Sequence, residues 1–478
     1  MTRSCELLVV GAGPAGMAAA TQAARLGVDT LLLDEQAAPG GQIYRAITTT
    51  ALTDPGILGA DYWHGASLLG PFRASGAAYL AGATVWAVAR RSDTEAAGGF
   101  EVAYSIGGQA AILHARHILL ATGALERPFP IPGWTLPGVV TAGAAQILLK
   151  TAGIVPGDRA VLAGSGPLLY LVAWQYLNAG VRVERLLETT PPGRLARALP
   201  HALDFLRSPY LGKGLKLMRA VRAGVPIVRG VQALQAHGRD RLASVGYRAG
   251  GREHDVPAAH LMLHQGVVPN VNLSRALGVD HAWNEAMACW QPRTDEWGAT
   301  SVAGVGIAGD GAGIAGALAA EHRGRLAALQ AAVVLGRLAA ARRDREARAT
   351  RRALARAVRG RAFFDVLYQP TDAYRRPTDD TIVCRCEEVT ARQVRETVRL
   401  GCSGPNQMKA FLRCGMGPCQ GRLCGLTVSE LIADERGVPQ DEVGYYRLRF
   451  PTKPLTLGEL ASLPQTEASR QAVVRLKK

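Results

Sequence analysis

An α/β chain of two nucleotide-type units followed by a small helical domain is what three features of this sequence predict. Residues 6–35, ELLVVGAGPAGMAAATQAARLGVDTLLLDE, read as strand, glycine turn, helix, strand and acid. Residues 158–188, DRAVLAGSGPLLYLVAWQYLNAGVRVERLLE, repeat that pattern about 150 residues later. Five of the eight cysteines then crowd into CRC (384–386) and RCGMGPCQGRLC (413–424). At 478 residues, 48% hydrophobic and 20% charged, the chain is long enough for two or three cores and too apolar for general disorder.

In the first unit the apolar strand Leu7–Val10 runs into Gly11, Gly13 and Gly16, a G-x-G-x-x-G with Pro14 and Ala15 between the last two. Gly11 permits the tight turn, Gly13 lets backbone approach a pyrophosphate, and Gly16 lets helix and strand pack closely. The start of the alanine-rich helix offers unbonded N–H groups and partial positive charge to phosphates. A break at Gly27 leads to a second apolar strand ending at Asp34, eighteen residues past Gly16, where a carboxylate can accept from ribose hydroxyls. Glu35 takes that role if the strand ends one residue later. Strand, glycines, helix, strand and acid in register are together a strong Rossmann-type signal.

Two later stretches decide which dinucleotide is expected. ILLATGALERPFPIPGW (118–134) is a strand ending in Ala121, Thr122 and Gly123; VGIAGDGAGIAGALAAE (305–321) is a strand ending in Gly309 and Asp310, then a glycine-opened helix. With these, the chain resembles the two-dinucleotide-domain flavoproteins of the glutathione reductase and thioredoxin reductase class, in which the FAD domain is split by an inserted second domain. The resemblance implies FAD, with Asp310 at its ribityl chain and pyrophosphate. It also implies that PGGQIYR (39–45), with Gly41 and Gln42, wraps the flavin's phosphates. Disulfide reductases of this class carry a cysteine pair beside the flavin. Neither GGQIYR nor LPGVVTAGAAQ contains one, which argues against dithiol chemistry.

The second unit is a worn copy. Gly164 and Gly166 are present, but Leu169 stands at the third glycine position. By counting along the chain, Leu187 is the equivalent of Asp34, with Glu188 one later. A leucine in place of the third glycine holds helix and strand apart. A working NAD(P) site, another nucleotide, or a retained fold with neither all remain open. HQGVVPN (264–270) closes the insertion, as a similar segment does in the thioredoxin reductase class.

The cysteine pattern suits neither a disulfide framework nor the C-x-x-C knuckles of structural zinc. A C-x-C with a later cysteine pair suits iron and sulfide, because soft thiolates are their natural ligands. The segment resembles the bacterioferritin-associated-ferredoxin-like 2Fe–2S domain. Thirty-two residues separate Cys386 from Cys419 and twenty-seven separate it from Cys414. The resemblance matches the longer gap and so implies Cys384, Cys386, Cys419 and Cys424 as ligands; the competing set replaces Cys424 with Cys414. Gly415, Gly417 and Gly421 are expected to free N–H groups for the sulfurs. Cys402, after the helix-like ARQVRETVRLG, reads as a packed thiol, and Cys5 and Cys289 stand alone.

Taken together, GAGPAG, LLLDEQAAPGGQIYR, ATGALERPFPIPGW, GAGIAG, CRC…RCGMGPCQGRLCG and the tail YRLRFPTKPLTLGELA resemble one family over nearly the whole chain. These are the A-type subunits of opine oxidases, hydrogen cyanide synthase and the proline or hydroxyproline dehydrogenases. The resemblance implies a D-amino-acid-oxidase-like flavoprotein partner that dehydrogenates a C–N bond. It further implies an external acceptor such as a respiratory carrier, room for a small third subunit, and FMN at the partner interface. On this reading the chain is an electron conduit rather than the seat of substrate oxidation, since no arginine stands out as a carboxylate-binding group. A self-contained NAD(P)H-dependent reductase and a cofactor-bearing scaffold are the alternatives.

The expected domains are residues 1–135 with 265–340 for FAD, 136–264 for the inserted unit, 341–380 as an arginine-rich helical linker, 381–437 for 2Fe–2S, and 438–478 as a tail. The net charge of +16 comes mainly from arginine, much of it in residues 322–376. That stretch reads as a solvated, salt-bridged helix or as a docking surface for an acidic partner subunit; no aromatic interleaving suggests nucleic acid. AVLAGSGPLLYLVAWQYLNAGV (160–181) is uncharged, but its Gly-Ser-Gly-Pro turn reads as strand, turn and buried helix rather than a bilayer span. A cytoplasmic protein with at most peripheral membrane association is expected.

Overall fold

The computed structural model describes residues 3–91 and 98–464; the expected tail beyond residue 464 lies outside the described residues. Strand Arg3–Val10 is buried from Leu7 onward and runs parallel to Thr30–Asp34 on one side and Gln109–Leu120 on the other. The sheet continues from Thr30–Asp34 to Ala78–Ala81, and from Gln109–Leu120 to Phe100–Ile106 and Thr84–Arg90. Strand Gln109–Leu120 changes partner along its length. Its first half pairs antiparallel with Phe100–Ile106, and its last three residues pair parallel with Val305–Ile307. That switch carries residues 308–311 to the same sheet end as the first glycine turn. Helices Pro14–Arg25 and Ala317–Val334 pack together over one face, and a second apolar cluster with Leu273 and Val279 closes the other, which is why the central strands read as unbroken apolar runs.

The inserted unit has a five-stranded parallel sheet, in the order Ile227–Arg229, Val183–Glu188, Ala160–Ser165, His260–Gln265, Val139–Thr141. A three-stranded antiparallel meander, Ala233–Gly238, Leu242–Ala249 and Arg252–Pro257, adjoins it. The chain leaves and re-enters the first unit through the paired strands Ala124–Glu126 and Val267–Pro269. One apolar cluster spans both units, joining Leu7, Met17, Tyr44 and Tyr62 to Leu162, Leu169, Tyr170 and Tyr176.

The arginine-rich helix Ala340–Val358 buries only Ala347 and Ala357. Arg343 and Arg351 lie over the Trp297 ring at 4.0 and 4.2 Å, and Arg351 pairs with Glu296 at 2.6 Å. The chain beyond it is more than a linker. Phe363 stacks on Phe205 at 4.3 Å, and the buried Tyr374 donates to the Val231 carbonyl at 2.9 Å. Residues 361–376 therefore dock on the inserted unit.

The C-terminal domain packs helices Ala391–Arg399, Pro405–Leu412 and Gly425–Arg436 around Val383, Val394, Met408, Val428, Leu431 and Ile432. Thr390 and Gln393 form a capping box at the first of these helices. The tail then returns along the first unit: Thr452 donates its N–H to the Trp86 carbonyl at 2.9 Å, and Lys453 pairs with Glu35 at 2.5 Å.

Candidate functional site

Three backbone segments meet at the first glycine turn with no room for side chains. Gly11 sits at φ +106°, and its N–H donates to the Leu33 carbonyl at 2.7 Å. A Cβ on Gly16 would lie 1.8 Å from the Gly11 oxygen, and one on Gly41 would lie 2.7 Å from the Gly13 Cα. A Cβ on Gly309 would come within 2.7 Å of the Ala15 Cβ. At Gly13 the nearest atom is 3.7 Å away, so its surface stays open to a ligand beside the start of helix Pro14–Arg25. Ala121 bonds the Val10 carbonyl at 2.8 Å, and Gly123 accepts from Asn270 at 3.0 Å; Thr122 lies between them on the same edge. This glycine cradle fits a pyrophosphate-bearing nucleotide.

The structure separates the two candidate acids. Asp34 is buried, with one carboxylate oxygen accepting from the Ala12 N–H and the other from Gln36 at 2.7 Å. Burial raises its pKa, while those two N–H groups pull the other way. Glu35 is committed to Lys453. Asp310 uses Oδ1 to accept from Ala315 at 2.8 Å and Gly316 at 3.1 Å, which shapes the turn into helix Ala317–Val334.

Lys150 was not anticipated from sequence. It lies 2% exposed on helix Ala142–Ala152, and its Nζ donates to the carbonyls of Gln42 (3.3 Å) and Ile43 (2.9 Å) and to Gln146 Oε1 (2.8 Å). Burial, then the nearby Arg45, brings its pKa down to about 7. Gln146 donates in turn to Gln175, and Gln175 donates to the Leu58 carbonyl at 3.1 Å. This buried polar chain ties the inserted unit to the 40–58 segment, including the loop expected to wrap flavin phosphates. A lysine inside an apolar helix was the only available signal.

The second turn requires one correction. Leu33 pairs with Val10, so Asp34 falls opposite Gly11; Glu188 pairs with Gly164, the equivalent of Gly11. Glu188, not Leu187, is therefore the counterpart of Asp34. A small register irregularity between Val183 and Arg185 shifts the count by one. Leu187 is instead fully buried core. Glu188 pairs with Arg229 at 3.5 Å and lies close to the buried Tyr170 and the half-buried Tyr368, whose pKa values rise through burial first and Glu188 second. Leu169 is fully buried where the third glycine would allow close packing.

The thiols converge. Cys384 interacts with Cys414 and Cys424, Cys424 also with Cys419, and Cys419 with Cys386. Bonds from Cys414 and Cys424 hold the Cys384 pKa far below the usual thiol range, helped by the backbone of Glu387 and Gly415. A bond from Cys424 brings Cys419 down to about 5, with N–H groups of Leu423 and Gly421 also contributing. Gly415 and Gly421 are among the backbone groups beside these sulfurs. Gly417 makes space instead, since a Cβ there would lie 2.3 Å from the Cys386 Cβ. Cys384 lies beside both Cys414 and Cys424, and Cys424 in turn interacts with Cys414 and Cys419. Among the described residues no group of three or more His, Cys, Asp or Glu is arranged to hold a metal ion; linked thiol pairs are the donor set a dinuclear cluster draws on. Cys402 is buried, with its thiol on the Gly404 carbonyl.

Tyr446 completes this wall. Its ring lies against Gly415 and Gly421, and its hydroxyl is 3.7 Å from the Cys424 sulfur. The cysteine loop rests directly on the first unit, where Asn272 donates to the Gln420 carbonyl at 3.0 Å and Arg275 lies between the rings of Trp290 and Tyr445.

Residues 5–336 match the pyridine nucleotide-disulphide oxidoreductase family, and residues 378–463 match the sarcosine oxidase A3 domain. The A-type subunit of the opine oxidase from Agrobacterium tumefaciens (strain Ach5) is 48% identical, covering 98% of this chain and 93% of its own length. The chain belongs to the family of A-type opine oxidase subunits. As a member it is an oxidoreductase and a flavoprotein. The HcnB subunit of hydrogen cyanide synthase from Pseudomonas aeruginosa is 34% identical over 95% of this chain and 98% of its own. The L-proline dehydrogenase from P. horikoshii superposes with a TM-score of 0.70 over 96% of this chain and 80% of that one. At 17% identity that likeness speaks for the fold alone. The family and α/β fold class expected from the motifs are those found.

Proposed function

We propose that this chain is the FAD- and 2Fe–2S-bearing subunit of a heteromeric dehydrogenase acting on the C–N bond of an amino or imino acid, of opine, proline or hydroxyproline, or glycine type. Electrons reach it from a D-amino-acid-oxidase-like partner and leave to an external acceptor such as a respiratory carrier. The observation that carries this reading is the set of thiols gathered as neighbours, in a domain seated on the nucleotide unit. FAD accepts two electrons together, whereas a 2Fe–2S centre takes one at a time. For the nucleotide, Gly11, Gly13 and Gly16 give the phosphates access to free N–H groups, Asp34 accepts from the ribose, and Asp310 addresses the ribityl side. For iron and sulfide, Cys384, Cys386, Cys419 and Cys424 are the ligands, and the N–H groups of Gly415 and Gly421 stabilise sulfur charge. Lys150 holds the flavin-wrapping loop against the inserted unit.

A self-contained NAD(P)H reductase is disfavoured by Leu169 and by the two tyrosines packed beside Glu188. Clustered free thiols accord with a cytoplasmic location. The test is anaerobic purification of the chain alone and with a D-amino-acid-oxidase-like partner. FAD with about two irons per chain, and substrate-driven flavin bleaching only in the complex, is the expected result. Absence of iron from protein that retains flavin, or robust amine dehydrogenation by the chain alone, would overturn the reading.

A further inference from the structure

Residues 194–224 of the inserted unit carry a leucine stripe that no described residue covers. Helix Arg194–Ala198, the turn Leu199–His201 and helix Ala202–Leu206 follow without a break. Leu195, Leu199, Leu203 and Leu206 are spaced four, four and three residues apart and so share one helical face. Each is 58–60% exposed, and Leu215 on the following helix, Tyr210–Gly224, is 56% exposed. An adjoining face is occupied: Ala198 is fully buried and Phe205 stacks on Phe363. Single exposed leucines are ordinary, but four in helical register make a patch that calls for a partner.

The charge around the stripe identifies that partner. Between residues 195 and 222 stand Arg197, Arg207, Lys213, Lys216, Arg219 and Arg222 against a single acid, Asp204. Lys213 pairs with Asp61 at 2.6 Å, and the other five make no ion pair among the described residues. Protein interfaces favour exposed aromatics, methionine and arginine, and are poor in lysine. Here the exposed apolar residues are all leucine and are edged by lysine and arginine, the composition of a helix lying at a lipid interface. No helix among the described residues is long and apolar enough to cross a membrane. We propose that residues 194–222 are a peripheral docking surface for an anionic lipid bilayer, with leucines entering the acyl boundary and the cations meeting phosphate. This surface depends on no part of the electron-relay reading.

The experiment is co-sedimentation of the purified full chain with vesicles of phosphatidylcholine alone or containing about a quarter phosphatidylglycerol. Binding to the anionic vesicles that falls several-fold at high salt is expected, with little binding to neutral ones. The variant L195S/L199S/L203S/L206S should weaken partition at least about tenfold, and K216E/R219E/R222E about a hundredfold. All seven side chains are at the surface, so parental flavin content and melting temperature certify that each variant is folded. No binding to anionic vesicles, or leucine variants that bind like the parent, would refute the proposal. Loss of partner-subunit co-purification with vesicle binding intact would assign the face to a subunit contact and equally overturn it.

Discussion

Replacing Gly16 by alanine should separate the first helix from its sheet and cost most of the flavin affinity. The added Cβ would lie 1.8 Å from the Gly11 oxygen, 2.9 Å from its carbonyl carbon and 3.4 Å from the Ala121 Cβ. An unstrained contact needs about 3.3 Å, so helix Pro14–Arg25 must shift by roughly 1.5 Å. The obstacle is backbone, which cannot swing aside, so the strain belongs at the upper end of the ~1–3 kcal/mol typical of overpacking. A hydrogen bond lengthened by ~1.5 Å is no longer one. Losing one or two charge-assisted bonds to phosphate, each worth ~1.5–3 kcal/mol, lowers affinity by about 10- to 10⁴-fold. Reconstitution of apoprotein with FAD, followed by flavin fluorescence, measures the affinity; thermal melting of the apoprotein measures the strain. Gly13→Ala is the control, because its Cβ would meet nothing closer than 3.7 Å. It should melt within about 1 °C of the parent apoprotein while still binding FAD less well. A Gly16→Ala protein with parental flavin content and melting temperature would refute the packing argument.

Cys424→Ser should abolish retained iron, while Cys414→Ser should keep most of it; iron analysis of anaerobically purified variants decides, and the reverse order would move the fourth ligand to Cys414. Burial raises the Glu430 pKa to about 7 against the pull of Arg375 and Arg127. The folded state therefore holds that proton more tightly, and stability falls as pH rises from about 4.5 to about 7. Glu430→Gln should flatten this slope in denaturant titrations across that window. Lys150 has the opposite sign. Its pKa drops from 10.5 to about 7 on folding, so stability rises with pH through that range, by on the order of 5 kcal/mol. Lys150→Met should remove that rise and loosen the loop at Gln42 and Ile43, read as a larger FAD dissociation constant. Thr390→Ala deletes a capping box and should cost ~1 kcal/mol, measurable as a lower urea midpoint.

Sequence reasoning went furthest where function depends on local backbone. The glycines at 11, 13, 16 and 41 are legible because their spacing states where no Cβ fits, and the structure brings these segments within contact. The cysteines stand out by their spacing, and the fold makes neighbours of them. Residues that act across the fold were not legible. Lys150 looks like any helix lysine until the 40–58 segment is folded over it, and Tyr446 is an ordinary aromatic until its ring meets Gly415 and Gly421.

By itself the sequence determined the order of units, the first nucleotide turn with its strand-end acid, and the thiols available near the C-terminus. These follow from periodicity, chirality and ligand chemistry, which act over a few residues. The tertiary structure alone decided that Glu188 rather than Leu187 answers to Asp34, because strand register is set by hydrogen bonds between distant segments. It also decided that Lys453 occupies Glu35, that residues 361–376 cover the inserted unit, and which face of 194–206 the described residues leave uncovered. Each is a pairing of residues far apart in the chain, and no local pattern encodes the partner.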